Sequence, residues 1–155
     1  MSDTLILSAV RTPMGGFQGE LASFAATELG AHCIREAVGR AGVDGASVDE
    51  VIMGNVLSSG LKQGPARQAM RIAGLPDAVG ATTLNKLCGS GMKAVMLACD
   101  LISAGSGAVV VAGGMESMSN SPFLLTKARS GMRMGHGQVF DSMFLDGFGR
   151  TISQL

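Results

Sequence analysis

Short apolar segments alternate with amphipathic ones along this chain, and this alternation limits the fold more than any other feature of the sequence. Residue periodicity predicts strands at 4–10, 50–57, 81–84 and from 108, and helices at 27–41, 65–73 and 88–104. Strands that alternate with helices pack in layers around a largely parallel sheet. The sequence therefore predicts an α/β fold.

A cysteine stands where one of these strands gives way to a helix, in the run Asn-Lys-Leu-Cys-Gly-Ser-Gly-Met at 85–92. After Cys88, apolar side chains recur at helical spacing, at Met92, Val95, Met96, Cys99 and Ile102. A helix N-terminus favours thiolate over thiol, and the thiolate is the species that attacks a carbonyl. The alternative is that Cys88 is a buried structural cysteine, because free cysteine is often found in protein cores.

A second informative run follows at 108–119, where a continuous apolar segment leads into Gly113-Gly114 and a polar turn. Such a segment is typical of a strand that is buried on both faces. Open α/β sheets bind their ligands near such strand ends, where glycines let the backbone approach a ligand closely. The polar residues Glu116 and Ser117 are expected to stabilise the turn rather than to act in catalysis.

Together the two runs resemble the thiolases, the enzymes that make and cleave 3-ketoacyl-CoA thioesters. Two further segments carry the same resemblance in the same order, Arg11–Gly19 after the first strand and Gln63–Ala69 at a helix start. The match extends from about Leu5 to Gly147. The resemblance implies one βαβαβαββ half of a layered fold with a mostly parallel mixed sheet, at 1–119. It also implies the start of a loop insertion at 120–147, whereas 148–155 forms a tail that does not match the family.

The resemblance implies a reaction as well. A thiolase-type acyltransferase forms or cleaves 3-ketoacyl-CoA, for example acetoacetyl-CoA from two acetyl-CoA, through an acyl-cysteine intermediate. Cys88 is then the nucleophile, and its backbone N–H forms part of an oxyanion hole. The partners are acyl-CoA and CoA, no cofactor is needed because the CoA thioester is the substrate, and the family associates as homo-oligomers. The general base and the second cysteine are expected outside this chain, so the alternative is a catalytically silent fragment or pairing module.

Composition and charge exclude several other classes of protein. Twelve basic and twelve acidic residues balance without clustering, which argues against nucleic acid and anionic membranes as partners. No segment has the length of a membrane span and the N-terminus lacks a secretion signal, so a cytoplasmic protein is expected. Three widely spaced cysteines favour neither a disulfide framework nor a zinc site. Cys33 and Cys99 are expected in the core, and neither His32 nor His136 is assigned chemistry.

Overall fold

A computed structural model describes residues 4–149 of the chain. Its centre is a parallel sheet of three strands in the order β2-β1-β3, where β1 is Glu50–Gly54, β2 is Gly80–Leu84 and β3 is Val110–Gly114. β1 pairs in register with both neighbours, so that Gly54 lies beside Leu84 on one side and Gly114 on the other. The layered α/β architecture that the sequence predicts is confirmed.

Three helices cover the two faces of this sheet. Helices α1 (Ala26–Ala41) and α2 (Pro65–Ala73) pack against each other and against one face, where Val51 and Met53 point. Helix α3 (Ser90–Ser103) covers the other face alone, over Ile52. The core is therefore unequal, because within residues 4–149 the buried apolar cluster under α3 has three members, Ile52, Ala94 and Ala98.

Local sequence signals define the helix ends where the spacing predicts them. α2 begins with Pro65, whose fixed φ suits the first helical position and whose missing N–H costs no hydrogen bond there. α1 and α2 end at Gly42 and Gly74, which adopt left-handed φ values of 65° and 94°. Glycine takes up this conformation without strain and lets its N–H bond back to the last helical carbonyls.

The prediction of a strand at 4–10 is wrong, because these residues form no ladder with any described strand. Side-chain contacts hold the segment between two helices instead, with Ser8 Oγ donating to the Ala37 carbonyl at 2.7 Å and Thr4 Oγ1 lying 3.6 Å from Cys99 Sγ. The free edge of β3 does not bind it. Leu5, Ile6 and Leu7 are consequently left 74%, 80% and 59% exposed.

Two predictions about burial also fail. The expected apolar face of α3 points to solvent, so that Cys99 is exposed, and the helix buries its small residues Ser90, Ala94 and Ala98 instead. β3 is only half-buried, whereas β1 is the strand enclosed on both sides. Cys33 on α1 is intermediate. The physical reason is that α3 approaches the sheet closely, and only small side chains fit into so narrow a space.

Beyond β3 the chain forms a small two-stranded antiparallel ribbon, β4 (Phe123–Leu124) paired with β5 (Phe140–Asp141). The connection between the two strands is exposed along most of its length. A π-helical turn at Met143–Phe148 then returns to the parallel sheet, because Gly147 lies against Leu57. The domain boundaries at 119 and 147 stay predictions, and 150–155 of the predicted tail lies outside the described residues.

Candidate active site at the carboxyl edge of the sheet

The three parallel strands end at the same edge of the sheet, and the residues that follow them surround one cavity. Its volume is about 420 Å³. Asn55 follows β1, Cys88 follows β2, and Met115 and Glu116 follow β3. The remaining lining residues are Gly54, Val56, Leu57, Leu87, Ser90, Gly91, Gly114, Met118, Met143, Gly147 and Phe148. The cavity lies where open α/β sheets characteristically bind ligands.

Cys88 is exposed in a tight turn that side-chain hydrogen bonds hold in place. Leu87 has a φ of +50°, a left-handed conformation that is uncommon for a residue with a side chain. Asn85 Oδ1 accepts from the Leu87 N–H at 2.9 Å, and Ser90 Oγ accepts from the Lys86 N–H at 2.8 Å while donating to the Leu87 carbonyl. The expectation that Asn85 holds the strand-to-helix turn is confirmed. The turn ends at Gly89, the N-cap of α3.

Glycines set the distance between this turn and the sheet. A Cβ added to Gly54 would lie 2.6 Å from Ser90 Cβ and 2.8 Å from the Gly91 nitrogen, so that no larger residue fits without moving the helix. A Cβ on Gly91 would in turn lie 3.7 Å from the Gly114 nitrogen. Backbone contacts therefore bring the start of α3 against the ends of both β1 and β3, and with it the thiol of Cys88 to the cavity.

Glu116 binds the loop that follows β1. Its carboxylate accepts hydrogen bonds from Asn55 Nδ2 at 2.7 Å, from the Val56 N–H at 2.8 Å and from the Leu57 N–H at 3.1 Å. Partial burial raises the pKa of the Glu116 carboxyl above its ordinary value, and this effect outweighs the three hydrogen bonds, which lower it. Glu116 therefore has a structural role, as expected, and the segment that it stabilises is the loop after β1. Ser117 also has a structural role, because its hydroxyl donates a hydrogen bond to the Phe24 carbonyl at 2.9 Å.

Sequence reasoning missed Asn55 as a residue of the site. Asn55 is 2% exposed, and its Nδ2 donates to the Met115 carbonyl as well as to Glu116, which joins the ends of β1 and β3. Its Oδ1 has no hydrogen-bond partner among the described residues. The available signal was its position, because it follows directly after an apolar strand, and parallel strands end at one edge of a sheet.

Other residues that the sequence singled out lie elsewhere. His32 is on α1 and His136 is in the loop between β4 and β5, and the lining of the cavity within the described range includes no histidine. Met92, on α3, is not among the lining residues of the cavity. Residues 4–149 contain no group of three side chains placed to hold a metal ion, and no helix in this range has the length and apolar character to cross a membrane.

Comparison with known proteins identifies the family. Residues 4–155 match the family described as thiolase, N-terminal domain. The chain belongs to the thiolase family. It is 55% identical over 148 residues to an acetyl-CoA acetyltransferase of Escherichia coli and 56% identical over 145 residues to acetyl-CoA acetyltransferase 2 of Arabidopsis thaliana. These matches cover 95% and 94% of this chain but 38% and 36% of the relatives, so the chain spans little more than a third of their length.

Solved structures agree with this membership. The Acat5 thiolase from Ascaris suum, solved in complex with coenzyme A, superimposes with a TM-score of 0.88 at 40% sequence identity. The match covers 92% of this chain and 37% of the Ascaris chain. The thiolase-like fold that the motifs imply is confirmed, and the matched family model is that of the N-terminal domain.

Proposed function

We propose that this chain supplies the acyl-accepting part of a thiolase-type active site, in which Cys88 takes an acyl group from acyl-CoA. One observation carries the proposal: in a chain of the thiolase family, the exposed Cys88 lines a cavity at the carboxyl edge of the sheet. The activity of whole acetyl-CoA acetyltransferases belongs to proteins much longer than this chain. The proposal therefore concerns the first half-reaction.

The chemistry begins with the thiolate of Cys88. Its Sγ adds to the thioester carbonyl carbon, the carbonyl oxygen becomes an oxyanion, and collapse of this intermediate breaks the carbon–sulfur bond to CoA. The CoA thiolate leaves and takes up a proton, while the acyl group stays on Cys88 as a new thioester. Transfer to the α-carbon of acetyl-CoA, with loss of one proton from that carbon, would give 3-ketoacyl-CoA. Transfer back to CoA reverses the first step.

The rigid turn around Cys88 suits this role. Because Asn85 and Ser90 hold the turn through the backbone of Lys86 and Leu87, Cys88 is positioned before substrate arrives. Its backbone N–H lies at the approach to the N-terminus of α3, where donors favour the developing oxyanion. Each missing oxyanion donor costs roughly 10²–10³ in rate. With no histidine among the described lining residues, the chain alone is expected to react slowly.

The side chains that line the cavity indicate which kind of substrate it can bind. Leu57, Met118, Met143 and Phe148 give it an apolar side, which suits an acyl chain rather than a charged group. We assign acetyl-CoA as the acyl donor because this chain is more than half identical, over the matched region, to acetyl-CoA acetyltransferases of two organisms. A relative from Gibberella zeae, 49% identical over 142 residues, is described as cytosolic, which supports the same location here.

A second candidate function is that of a catalytically silent module that pairs with another polypeptide. The observation that favours it is the row of exposed apolar side chains on α3, which no described part of the chain covers. This candidate predicts no acylation of Cys88, whereas the first predicts a specific adduct. The two are separated by a single experiment.

The test is peptide-mapped mass spectrometry of the full chain after incubation with acetyl-CoA. Cys88→Ser removes the proposed nucleophile, and Cys99→Ser is the matched control because Cys99 is also exposed and lies on α3, the helix that follows Cys88. The expected result is one acetyl group on Cys88 in the native chain and in Cys99→Ser, and none in Cys88→Ser. Equal labelling of Cys88 and Cys99, or no labelling at all, would exclude a specifically activated nucleophile and favour the silent module.

A further inference from the structure

One buried leucine lies outside the core. Leu57 is 9% exposed, yet within residues 4–149 it belongs to neither of the two buried apolar clusters on the faces of the sheet. Its side chain lines the cavity instead. The burial of Leu57 therefore shapes the wall of the cavity rather than the packing of the helices on the sheet.

Two contacts hold Leu57 in this position. Its backbone N–H donates to Glu116 Oε1 at 3.1 Å, and its side chain packs against Gly147, where an added Cβ would lie 3.2 Å from Leu57 Cδ2. Gly147 belongs to the π-helical turn Met143–Phe148, and π-helical turns occur frequently at functional sites. Both the backbone and the side chain of Leu57 are consequently fixed before any substrate binds.

The cavity has an open end and a closed end. Leu87 and Phe148 are 58% and 60% exposed and Cys88 is exposed as well, whereas Asn55 and Leu57 are buried. The closed end consists of residues of this chain, so its shape does not depend on any further polypeptide. An acyl group that is attached to Cys88 and enters the cavity therefore extends toward Leu57.

We propose that Leu57 limits the length of the acyl chain that Cys88 accepts, so that an acetyl group fits and longer chains are excluded. This inference rests on the proposed function, because it concerns the acyl group that Cys88 carries. The volume of the cavity, about 420 Å³, lies near the lower end of the roughly 300–1,000 Å³ of ligand pockets. Since the thioester end of the CoA arm also needs part of this space, little remains for the acyl chain.

Other large apolar residues of the lining are placed less suitably for this role. Met115 is buried, but its side chain packs against α1, where a Cβ added to Gly30 would lie 2.6 Å from Met115 Sδ. Met118 and Phe148, 38% and 60% exposed, lie at the open end. Leu57 is thus the large apolar side chain that closes the inner end of the cavity in the described part of the chain.

The first test compares the rates at which acetyl-CoA and butanoyl-CoA acylate Cys88, measured by peptide-mapped mass spectrometry. Leu57→Ala removes three carbon atoms from the closed end. It should raise the ratio of the butanoyl rate to the acetyl rate about 10- to 100-fold, because one methylene in an apolar pocket changes rates by roughly 10- to 200-fold. Leu57→Val should raise the ratio less, and it keeps the test decisive if Leu57→Ala does not fold.

Leu75→Ala is the matched control for this comparison. Leu75 is a leucine of equal burial, 8% exposed, but it belongs to the core cluster under α1 and α2 and does not line the cavity. Its replacement should lower stability without changing the ratio of the two rates. A ratio that stays unchanged in both Leu57 variants, or rises equally in Leu75→Ala, would overturn the proposal.

The second test requires no acyl transfer. In a chain with Cys33→Ser and Cys99→Ser, the thiolate of Cys88 attacks an alkyl methanethiosulfonate, forms a disulfide with the alkylthio group and releases methanesulfinate. A butyl chain attached in this way should fill the space left in Leu57→Ala and raise its Tm by roughly 3–8 °C above that of the methyl adduct. Where Leu57 is present, the butyl adduct should not have a higher Tm than the methyl adduct, because the side chain occupies that space.

The two tests distinguish this inference from the proposed function. If acyl-CoA does not acylate Cys88 in the native chain, the proposed function fails, while the disulfide adducts still decide the role of Leu57. A butyl chain that changes Tm equally with and without Leu57 would overturn the assignment. A butyl chain that raises Tm only in Leu57→Ala, and not in Leu75→Ala, would support it.

Discussion

Replacing Glu116 is the sharpest test of how the cavity is built. Its carboxylate accepts three hydrogen bonds from the loop after β1, and two of the donors belong to the buried residues Asn55 and Leu57. Glu116→Ala leaves all three donors without this acceptor. Glu116→Gln keeps one acceptor oxygen but directs an NH₂ group at another donor. Both changes loosen the contact between the ends of β1 and β3, whose residues line the cavity together with Cys88.

The size of the effect follows from the donors. An unsatisfied buried donor costs about 1–3 kcal/mol, and the half-buried Val56 N–H can recover water, so two donors dominate. We expect Glu116→Ala to lower the free energy of unfolding by about 2–5 kcal/mol, and Glu116→Gln by about 1–3 kcal/mol. For a chain of this size, the loss of unfolding free energy expected for Glu116→Ala lowers Tm by roughly 5–15 °C.

The assay is urea unfolding of Glu116→Ala and Glu116→Gln beside Glu20→Ala, a change at an exposed glutamate that should stay within about 0.5 kcal/mol of the native chain. The pKa of Glu116 is raised, so the unfolded carboxyl ionises first, near 4.5, and the folded one at higher pH. The stabilisation that comes from this difference in pKa is therefore fully present below pH 4.5. It declines as the pH rises through the pKa of the folded carboxyl. A loss below about 1 kcal/mol for Glu116→Ala would refute the proposed bonding of the loop.

Two further predictions concern the sheet. Gly54→Ala should destabilise the chain by about 1–3 kcal/mol, because its Cβ would clash with Ser90, and it should slow acylation of Cys88 by displacing the turn; unchanged unfolding in urea would contradict the close packing. Asp49 accepts from two backbone N–H groups at the start of β3, which lower the pKa of its carboxyl below 3.8. Its stabilisation is present above 3.8 and lost as pH falls through the folded value, so Asp49→Asn should cost more stability at pH 7 than at pH 3. The opposite order, measured by thermal unfolding, would exclude these bonds.

Much of the fold could be predicted from the sequence because local signals were consistent. Pro65 and Gly74 bound α2 where the sequence predicts, and the turn at Cys88 lies between a strand and a helix as expected. The strand at 4–10 could not be rejected in this way. Its apolar residues have the composition of a strand, but a strand exists only where another strand binds its backbone, and this partner is a property of the tertiary structure.

The sequence by itself determined the family, the order of α1 to α3 and of β1 to β3, and the position of Cys88 just before the start of a helix. The tertiary structure decided which face of α3 is buried. Periodicity favours Met92, Val95 and Met96 as the inner face, yet Gly54 lets the helix approach the sheet so closely that only small residues fit beneath it. Periodicity detects an apolar face, but the space available beside it depends on residues distant in sequence. The hydrogen bond from Asn55 to Glu116 likewise could not be predicted from the sequence, because only the tertiary structure brings these two residues together.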